Sequence, residues 1–211
     1  MAYDNKNPTI IPDISDDGQI FEYVRYRTLE LLKGQIELYN VTGELAAFGV
    51  YKGGLAQKLN TLFPNRKLYL FDTFNVFEDK ELFGDIDEMG SDIDDPEYQQ
   101  YLKDISSTTI LEEMPHKEKC VIKQGYFPNS LKGLEEIFAL VSLDTGLYDD
   151  TYRGLWYFYP RLSQGGYIII NSYTNLNLGV KRAITDYENK FGKLAKIPIP
   201  DLGGSIIITK S

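Results

Sequence analysis

The stretch "LDTGLYDDTYRGLWYFYPRLSQGGYIIINSY" (residues 143–173) decides how the whole chain reads. It holds an apolar strand ending in Asp144, an amphipathic helix, a Gly165-Gly166 turn and a second apolar strand ending in Asn171-Ser172-Tyr173. Repeated strand–helix units build a parallel sheet covered on both faces. Polar residues at the carboxyl ends of such strands are where α/β proteins do chemistry. This pair of strand ends carries a single carboxylate, which raises the question of what it can do.

Working outward, the same alternation runs through most of the chain. Residues 1–15 read as an arm, because Pro8 and Pro12 disfavour helix. Over 16–40 apolar residues recur at helical spacing (Ile20, Tyr23, Leu29, Leu32, Ile36), which predicts an amphipathic helix. Strands are expected at about 44–50, 68–71, 119–123, 138–143 and 167–171. Helices are expected at about 54–62, 131–137, 150–162 and 178–191. Two last strands, about 195–199 and the run SIIITK, flank a Pro/Gly turn and predict an antiparallel hairpin. The expected architecture is one domain over 1–211: a mostly parallel, seven-stranded α/β sheet with helices on both faces.

One insertion, 75–115, breaks the rhythm with a run of acids followed by a helical pattern. Its "DIDEMGSDIDDPE" is not a calcium loop, since Met89 and Pro96 fall on ligand positions. It reads as a solvated acidic insertion, and its place beside the strand ends makes it a candidate lid.

Composition narrows the function. A net charge of −9 disfavours nucleic-acid and anionic-membrane partners for want of phosphate neutralisation. No apolar run approaches the ~20 residues of a membrane span, and the first residues lack the basic and apolar regions of a signal peptide. The sole cysteine, Cys120, excludes an intramolecular disulfide and reads as a buried strand residue. The sole histidine, His116, cannot anchor a histidine-based metal site. A cytoplasmic setting is expected.

The segment "FGVYKGG" (residues 48–54) joins the first strand to its helix. Its glycines permit a tight turn and close approach of a ligand to backbone. It matches neither the phosphate loop GxxxxGK[ST] nor the dinucleotide pattern GxGxxG. Asp72 follows the second strand, 23 residues after Gly49, where an acid meets ribose hydroxyls in nucleoside-binding α/β folds. Taken singly, these are a glycine turn and an Asp capping the next segment. Together they point to a nucleoside ligand without a pyrophosphate, of which S-adenosylmethionine is one.

At this point the chain resembles the macrocin O-methyltransferase family, metal-dependent class I (Rossmann-like) enzymes that methylate sugar hydroxyls. The resemblance spans about residues 25–187. "GELAAFGVYKGG" is similar to the family's glycine loop and "LYLFDTF" to its Asp-Thr-Phe ribose motif. "KQGYFPNSL" resembles a segment that approaches the adenine, and "LDTGLYDDT" and "YPRLSQGGYIIINSY" resemble the two metal-holding strand ends. The resemblance implies S-adenosylmethionine as cofactor, held by Gly49, Val50, Tyr51, Gly53, Gly54, Asp72, Thr73, Gly125, Tyr126 and Asp144. It implies a small-molecule acceptor such as a sugar or glycoside, and leaves a homo-oligomer open.

The departures from the family pattern answer the opening question. The family reads Asp-Gly-Asp-Leu-Tyr at the first end and Asp-Asp-Tyr at the second. Here Asp144 remains, Gly146 stands for the acid considered a candidate general base, and Asn171 and Ser172 stand for two metal carboxylates. Ala47 and Phe48 replace an acidic residue and a cysteine in the glycine loop. Magnesium prefers hard, charged oxygens, so no tightly bound magnesium is expected at Asp144, Asn171 and Ser172. Asp144 and Asp149 are the candidate catalytic carboxylates, although Asp149 and Asp150 also suit the start of a helix. Of the nearby aromatics, Tyr126, Tyr148 and Tyr173 either line a cleft or close the core, while Trp156 is expected to pack inside.

The leading reading is a methyltransferase that keeps its cofactor and has lost the metal, with metal-independent transfer or altered acceptor chemistry. The alternative is a non-catalytic methyltransferase-like protein binding a nucleoside or a protein partner. A third is an unrelated nucleotide-binding α/β protein.

Overall fold

The computed structural model describes residues 17–74, 106–173, 178–201 and 203–210. The expected arm and all of the insertion up to residue 105 lie outside the described residues, so the lid expectation does too. In chain order the elements are α1 (Asp17–Leu38), β1 (Glu44–Phe48), α2 (Gly54–Leu62), β2 (Leu68–Asp72), α3 (Ser107–Glu112) and β3 (Cys120–Gln124). They continue with β4 (Phe138–Leu143), α4 (Tyr148–Arg161), β5 (Leu162–Ile170), α5 (Leu178–Phe191), β6 (Ala195–Pro198) and β7 (Ile206–Thr209). The seven strands form one sheet in the order β3-β2-β1-β4-β5-β7-β6. The first five run parallel, and β7 pairs antiparallel with both β5 and β6. The expected mostly parallel sheet with a C-terminal hairpin is what forms.

The chain steps outward from β1 to β3, then returns to place β4 on the other side of β1. Winding therefore reverses between β1 and β4, and a crevice opens at that switch point beyond the carboxyl ends. Register levels those ends. Phe48 of β1 pairs with Phe71 and Leu143, Phe71 with Lys123, Leu143 with Ile170, and Ile170 with Ile206. One step further on, Gln124, Asp72, Gly49, Asp144, Asn171 and Ser205 line one edge of the sheet.

At the centre of that edge β1 and β4 almost touch. Gly49 sits at φ 84, and a Cβ there would overlap the carbonyl oxygen of Asp144. The close approach lets the ladder run past the strands: Asp144 N–H donates to Phe48 O (2.8 Å) and Gly49 N–H to Phe71 O (3.0 Å).

Two apolar layers clamp the sheet. On one face α4 and α5 bring Leu155, Phe158, Val180, Ile184 and Tyr187 against Phe71, Phe138 and Val141. On the other, α1, α2 and α3 bring Leu29, Leu32, Ile36, Leu59 and Ile110 against Leu45, Leu70 and Leu140. Strands buried on both faces need near-continuous apolar runs, which is why FALVSL and YIIIN are legible as strands. No helix among the described residues is long and apolar enough to cross a membrane.

The differences from expectation are local. The helix expected over 131–137 does not form; a 3-10 turn at Asn129–Leu131 is followed by a turn at 132–133 and irregular chain up to β4. Gly133 stands at φ 73, a left-handed conformation that ends a right-handed helix. β5 begins at Leu162, five residues early, with a register irregularity between Phe138 and Leu140 on its partner strand. Trp156 does not pack inside: it is 54% exposed. The buried residues of α4 are Thr151, Gly154, Leu155, Tyr157 and Phe158, and position 156 points away from the face centred on Thr151, Leu155 and Phe158 on a 3.6-residue helix. Cys120 is half-buried as the first residue of β3, and burial first, then Glu118, pushes its thiol up to about 11.

The hairpin is anchored by one acid. Glu188 on α5 is buried, accepts from Leu194 N–H (3.1 Å) and pairs with Lys196 and Lys193. Burial pushes its carboxyl up, but Lys196 and the Leu194 amide push it further down, so the net shift is below the ordinary value. A folded-state depression stabilises above the unfolded value and is lost as pH falls through the folded one. Glu188→Gln should therefore cost about 1–3 kcal/mol at neutral pH. In urea melts the gap between wild type and variant should close below about pH 4. Gly49→Ala should cost at least about 3 kcal/mol, because both the backbone angle and the Asp144 carbonyl oppose a Cβ. Gly54→Ala, whose Cβ would meet only the Tyr26 hydroxyl at 3.6 Å, should change stability by less than about 1 kcal/mol in the same melts.

Candidate functional site

The crevice edge divides into two halves about Gly49. On the β1-β2-β3 side, the loop after β1 turns sharply through Tyr51 (φ 53) and Gly53 (φ 80) into α2. Its amides converge on one carboxylate. Asp72 Oδ2 accepts from Val50 N–H (2.7 Å) and Tyr51 N–H (3.2 Å), and Oδ1 accepts from Phe74 N–H (3.2 Å). The Thr73 hydroxyl lies 3.4 Å from the same Oδ1. Asp72 thus ties the glycine loop to the end of β2 and also caps the segment that follows. Gly125 closes this half, with its N–H donating to Asp72 O at 3.0 Å, and Tyr126 beside it is exposed. The expected cofactor residues Gly49, Val50, Tyr51, Gly53, Gly54, Asp72, Thr73, Gly125 and Tyr126 all gather here. Asp144 borders them across Gly49.

On the β4-β5-β7 side the residues form a polar network. Asn171 Nδ2 donates to Asp144 Oδ1 (2.6 Å), and Arg25 Nη1 lies 3.7 Å from Asp144 Oδ2. Arg25 Nε donates to Asp201 Oδ2 at 3.2 Å. Asp201 in turn accepts from the Ser205 N–H and hydroxyl, both at 2.7 Å. The Ser205 hydroxyl also lies 3.3 Å from Asn171 Oδ1. Ser172 is held at φ 62 with its N–H donating to Gly203 O (2.9 Å). The two degenerate positions are therefore parts of a filled network that α1 reaches into. Thr145 Oγ1 is buried beside it with no hydrogen-bond partner among the described residues.

The carboxylates after β4 separate by environment. Asp149 is exposed and lies 3.9 Å from Arg153 in the next turn. Asp150 is half-buried, and burial, then Asp149, raises its proton affinity; Asp72 adds to the rise while Arg153 opposes it. Neither caps the helix through its side chain, since Leu147 is the N-cap; both lie in the first turn, where acids offset the helix dipole. Tyr148 is committed to packing: its hydroxyl donates to Asp186 on α5 (2.9 Å), an interaction that raises its pKa, and its ring stacks on Tyr152. Tyr173 packs partly buried against the core.

Arg25, Asp201 and Ser205 were not singled out from the sequence. Arg25 did carry a signal. It lies four residues before Leu29 and so continues the buried stripe of α1 through Leu29, Leu32 and Ile36. A guanidinium on an apolar stripe needs a buried partner.

The comparisons with known proteins agree with this fold. A solved structure of the O-methyltransferase NovP superposes with a TM-score of 0.70 at 21% identity, over 91% of this chain and 80% of that one. The calicheamicin methyltransferase CalS11 gives a TM-score of 0.61 at 20% identity, over 89% of this chain and 79% of its own. At these identities the likeness carries the fold. No curated protein matches the sequence significantly. The family described as Macrocin-O-methyltransferase (TylF) matches residues 22–201. That span runs from just before Arg25 to Asp201, most of the chain, and by it the chain belongs to the macrocin O-methyltransferase family of S-adenosylmethionine-dependent enzymes.

Proposed function

We propose that the protein transfers a methyl group from S-adenosylmethionine to the hydroxyl of a small-molecule acceptor, of the sugar or glycoside class, without a tightly bound magnesium ion. The observation that carries this reading is the glycine loop folded onto Asp72 at the switch point. Close packing of Gly49 on the Asp144 carbonyl brings the loop to the strand ends, and the loop and Asp72 present backbone and carboxylate to a nucleoside. The bound cofactor would supply an electrophilic methyl group on a sulfonium centre.

The chain's own residues have three tasks: to hold the nucleoside, to border its base and to take a proton. Gly49–Gly54 and Asp72 would hold the nucleoside, with Gly125 and Tyr126 bordering the base. An ionised carboxylate has about four acceptor positions, and Asp72 already spends some on the loop. Ribose hydroxyls would compete best with its longer contacts at Tyr51, Phe74 and Thr73, leaving the 2.7 Å bond from Val50 in place. The third task is to take the acceptor's proton as its oxygen bonds to the methyl carbon. Of the candidate acids, Asp144 is engaged by Asn171 and Arg25 and Asp149 is exposed. Asp150, whose proton affinity is raised by burial, is the better matched general base. The engagement of Asp144 also favours the second reading, a methyltransferase-like binder without turnover; single-turnover assays with labelled cofactor and simple glycosides separate the two.

Calorimetry tests the cofactor assignment. Asp72→Ala should weaken S-adenosylmethionine by about 1.5–3 kcal/mol, roughly ten- to a hundredfold. Cofactor affinity in the unmodified protein should be the same with EDTA as with magnesium. An unchanged affinity in Asp72→Ala, with the circular dichroism spectrum intact, would remove Asp72 from the site.

A further inference from the structure

The carboxylates around the crevice differ in what holds them. Asp72 accepts from the amides of Val50, Tyr51 and Phe74. Asp144 has Asn171 Nδ2 on one oxygen and Arg25 3.7 Å from the other. Asp201 has Arg25 and Ser205, and Asp149 lies 3.9 Å from Arg153. Asp150 stands apart. It sits half-buried in the first turn of α4, and among the described residues it has no hydrogen bond and no ion pair.

A half-buried carboxylate without a partner has two ways to settle: it keeps a proton or it gains a cation. Charged groups from two elements act on Asp150, namely Asp149 and Arg153 from its own helix and Asp72 from the end of β2. Burial and the two acids outweigh the one guanidinium, which lies against Asp149. The protein alone therefore holds the Asp150 proton to a higher pH than an ordinary aspartate does. What the position lacks is a positive charge. A general base and the methyl group must both reach the acceptor oxygen, so on the reading above Asp150 and the sulfonium face each other across one oxygen.

We propose that Asp150 answers the charge of the cofactor, so that S-adenosylmethionine, a sulfonium, binds with release of a proton and S-adenosylhomocysteine, a neutral thioether, binds without. The proposal deepens the methyl-transfer reading and rests on it. In the transfer the acceptor oxygen bonds to the methyl carbon, the carbon–sulfur pair goes to sulfur, and the hydroxyl proton goes to Asp150. One positive and one negative charge disappear together, and the net charge of the site stays constant. Asp150 is thus a weak base while the sulfonium is whole and a stronger one as the carbon–sulfur bond breaks. The sign of the linkage follows. A nearby cation lowers the proton affinity of a carboxylate, so a proton leaves between the lowered and the raised value. Above that window Asp150 is ionised in both states, and its charge favours the sulfonium over the thioether.

Calorimetry in buffers of different ionisation enthalpy, from about pH 4 to 8, counts the protons that each ligand displaces. S-adenosylmethionine should release about a quarter to half a proton at the maximum, and S-adenosylhomocysteine close to none. Across the same range the Kd of S-adenosylhomocysteine relative to that of S-adenosylmethionine should rise about three- to tenfold. Asp150→Asn keeps the shape and removes the charge. It should still bind both ligands and lose both the proton difference and the rise. Asp149→Asn should keep both effects, moved to lower pH. Should Asp150→Asn fail to fold, Asp150→Ser takes its place. If the two ligands release equal numbers of protons, or if the difference persists without Asp150, the proposal fails and the methyl-transfer reading stands. If S-adenosylmethionine does not bind the unmodified protein at any pH, both fall.

Discussion

Everything at the crevice depends on how closely β1 and β4 approach at their carboxyl ends. Gly49 packs on the Asp144 carbonyl with no room for a Cβ, and this contact sets the level of both strands. The ladders carry that level outward to Lys123 on one side and, through the antiparallel pairing of β5 with β7, to Ile206 on the other. A slip of one residue in any strand would turn its side chains to the opposite face. It would also move Asp72, Asp144 or Asn171 off the edge. Core and chemistry therefore share one register, and the apolar pattern that buries the strands also positions the polar residues that follow them.

That coupling explains what could be read from the sequence. Doubly buried parallel strands are short apolar runs, and the turns around them are marked by glycine and proline. Once FALVSL and YIIIN are taken as neighbouring strands, Asp144 and Asn171 follow as their ends. Asp72 was legible for the same reason. Its second job was not: spacing says nothing of the two loop amides that it accepts from. The misread helix over 131–137 shows the limit of periodicity, since its apolar spacing is sound and the single backbone angle at Gly133 overrides it.

Arg25 was missed for a different reason. Periodicity weighs hydrophobicity, so a guanidinium on a buried stripe counts as an interruption and not as a member. Its partner Asp201 is 176 residues away in sequence, inside a turn whose Asp has a sufficient local explanation in capping Ser205. Each residue looked ordinary by itself. Only the fold, which brings the amino end of α1 over the ends of β4 and β5, makes them a pair. Asn171 gave part of this network away as a lost carboxylate; its partners needed coordinates.

The two halves of the crevice handle charge differently. On the β4-β5-β7 side Asp144 and Asp201 share Arg25, whose single positive charge offsets one of the two carboxylates. On the other side the carboxylate of Asp72 meets neutral backbone and hydroxyl donors among the described residues, and it adds to the raised proton affinity of half-buried Asp150. On the proposed reading, a sulfonium ligand brings one positive charge beside Asp72, and that charge relieves the repulsion between Asp72 and Asp150, two carboxylates which the fold does not let move apart.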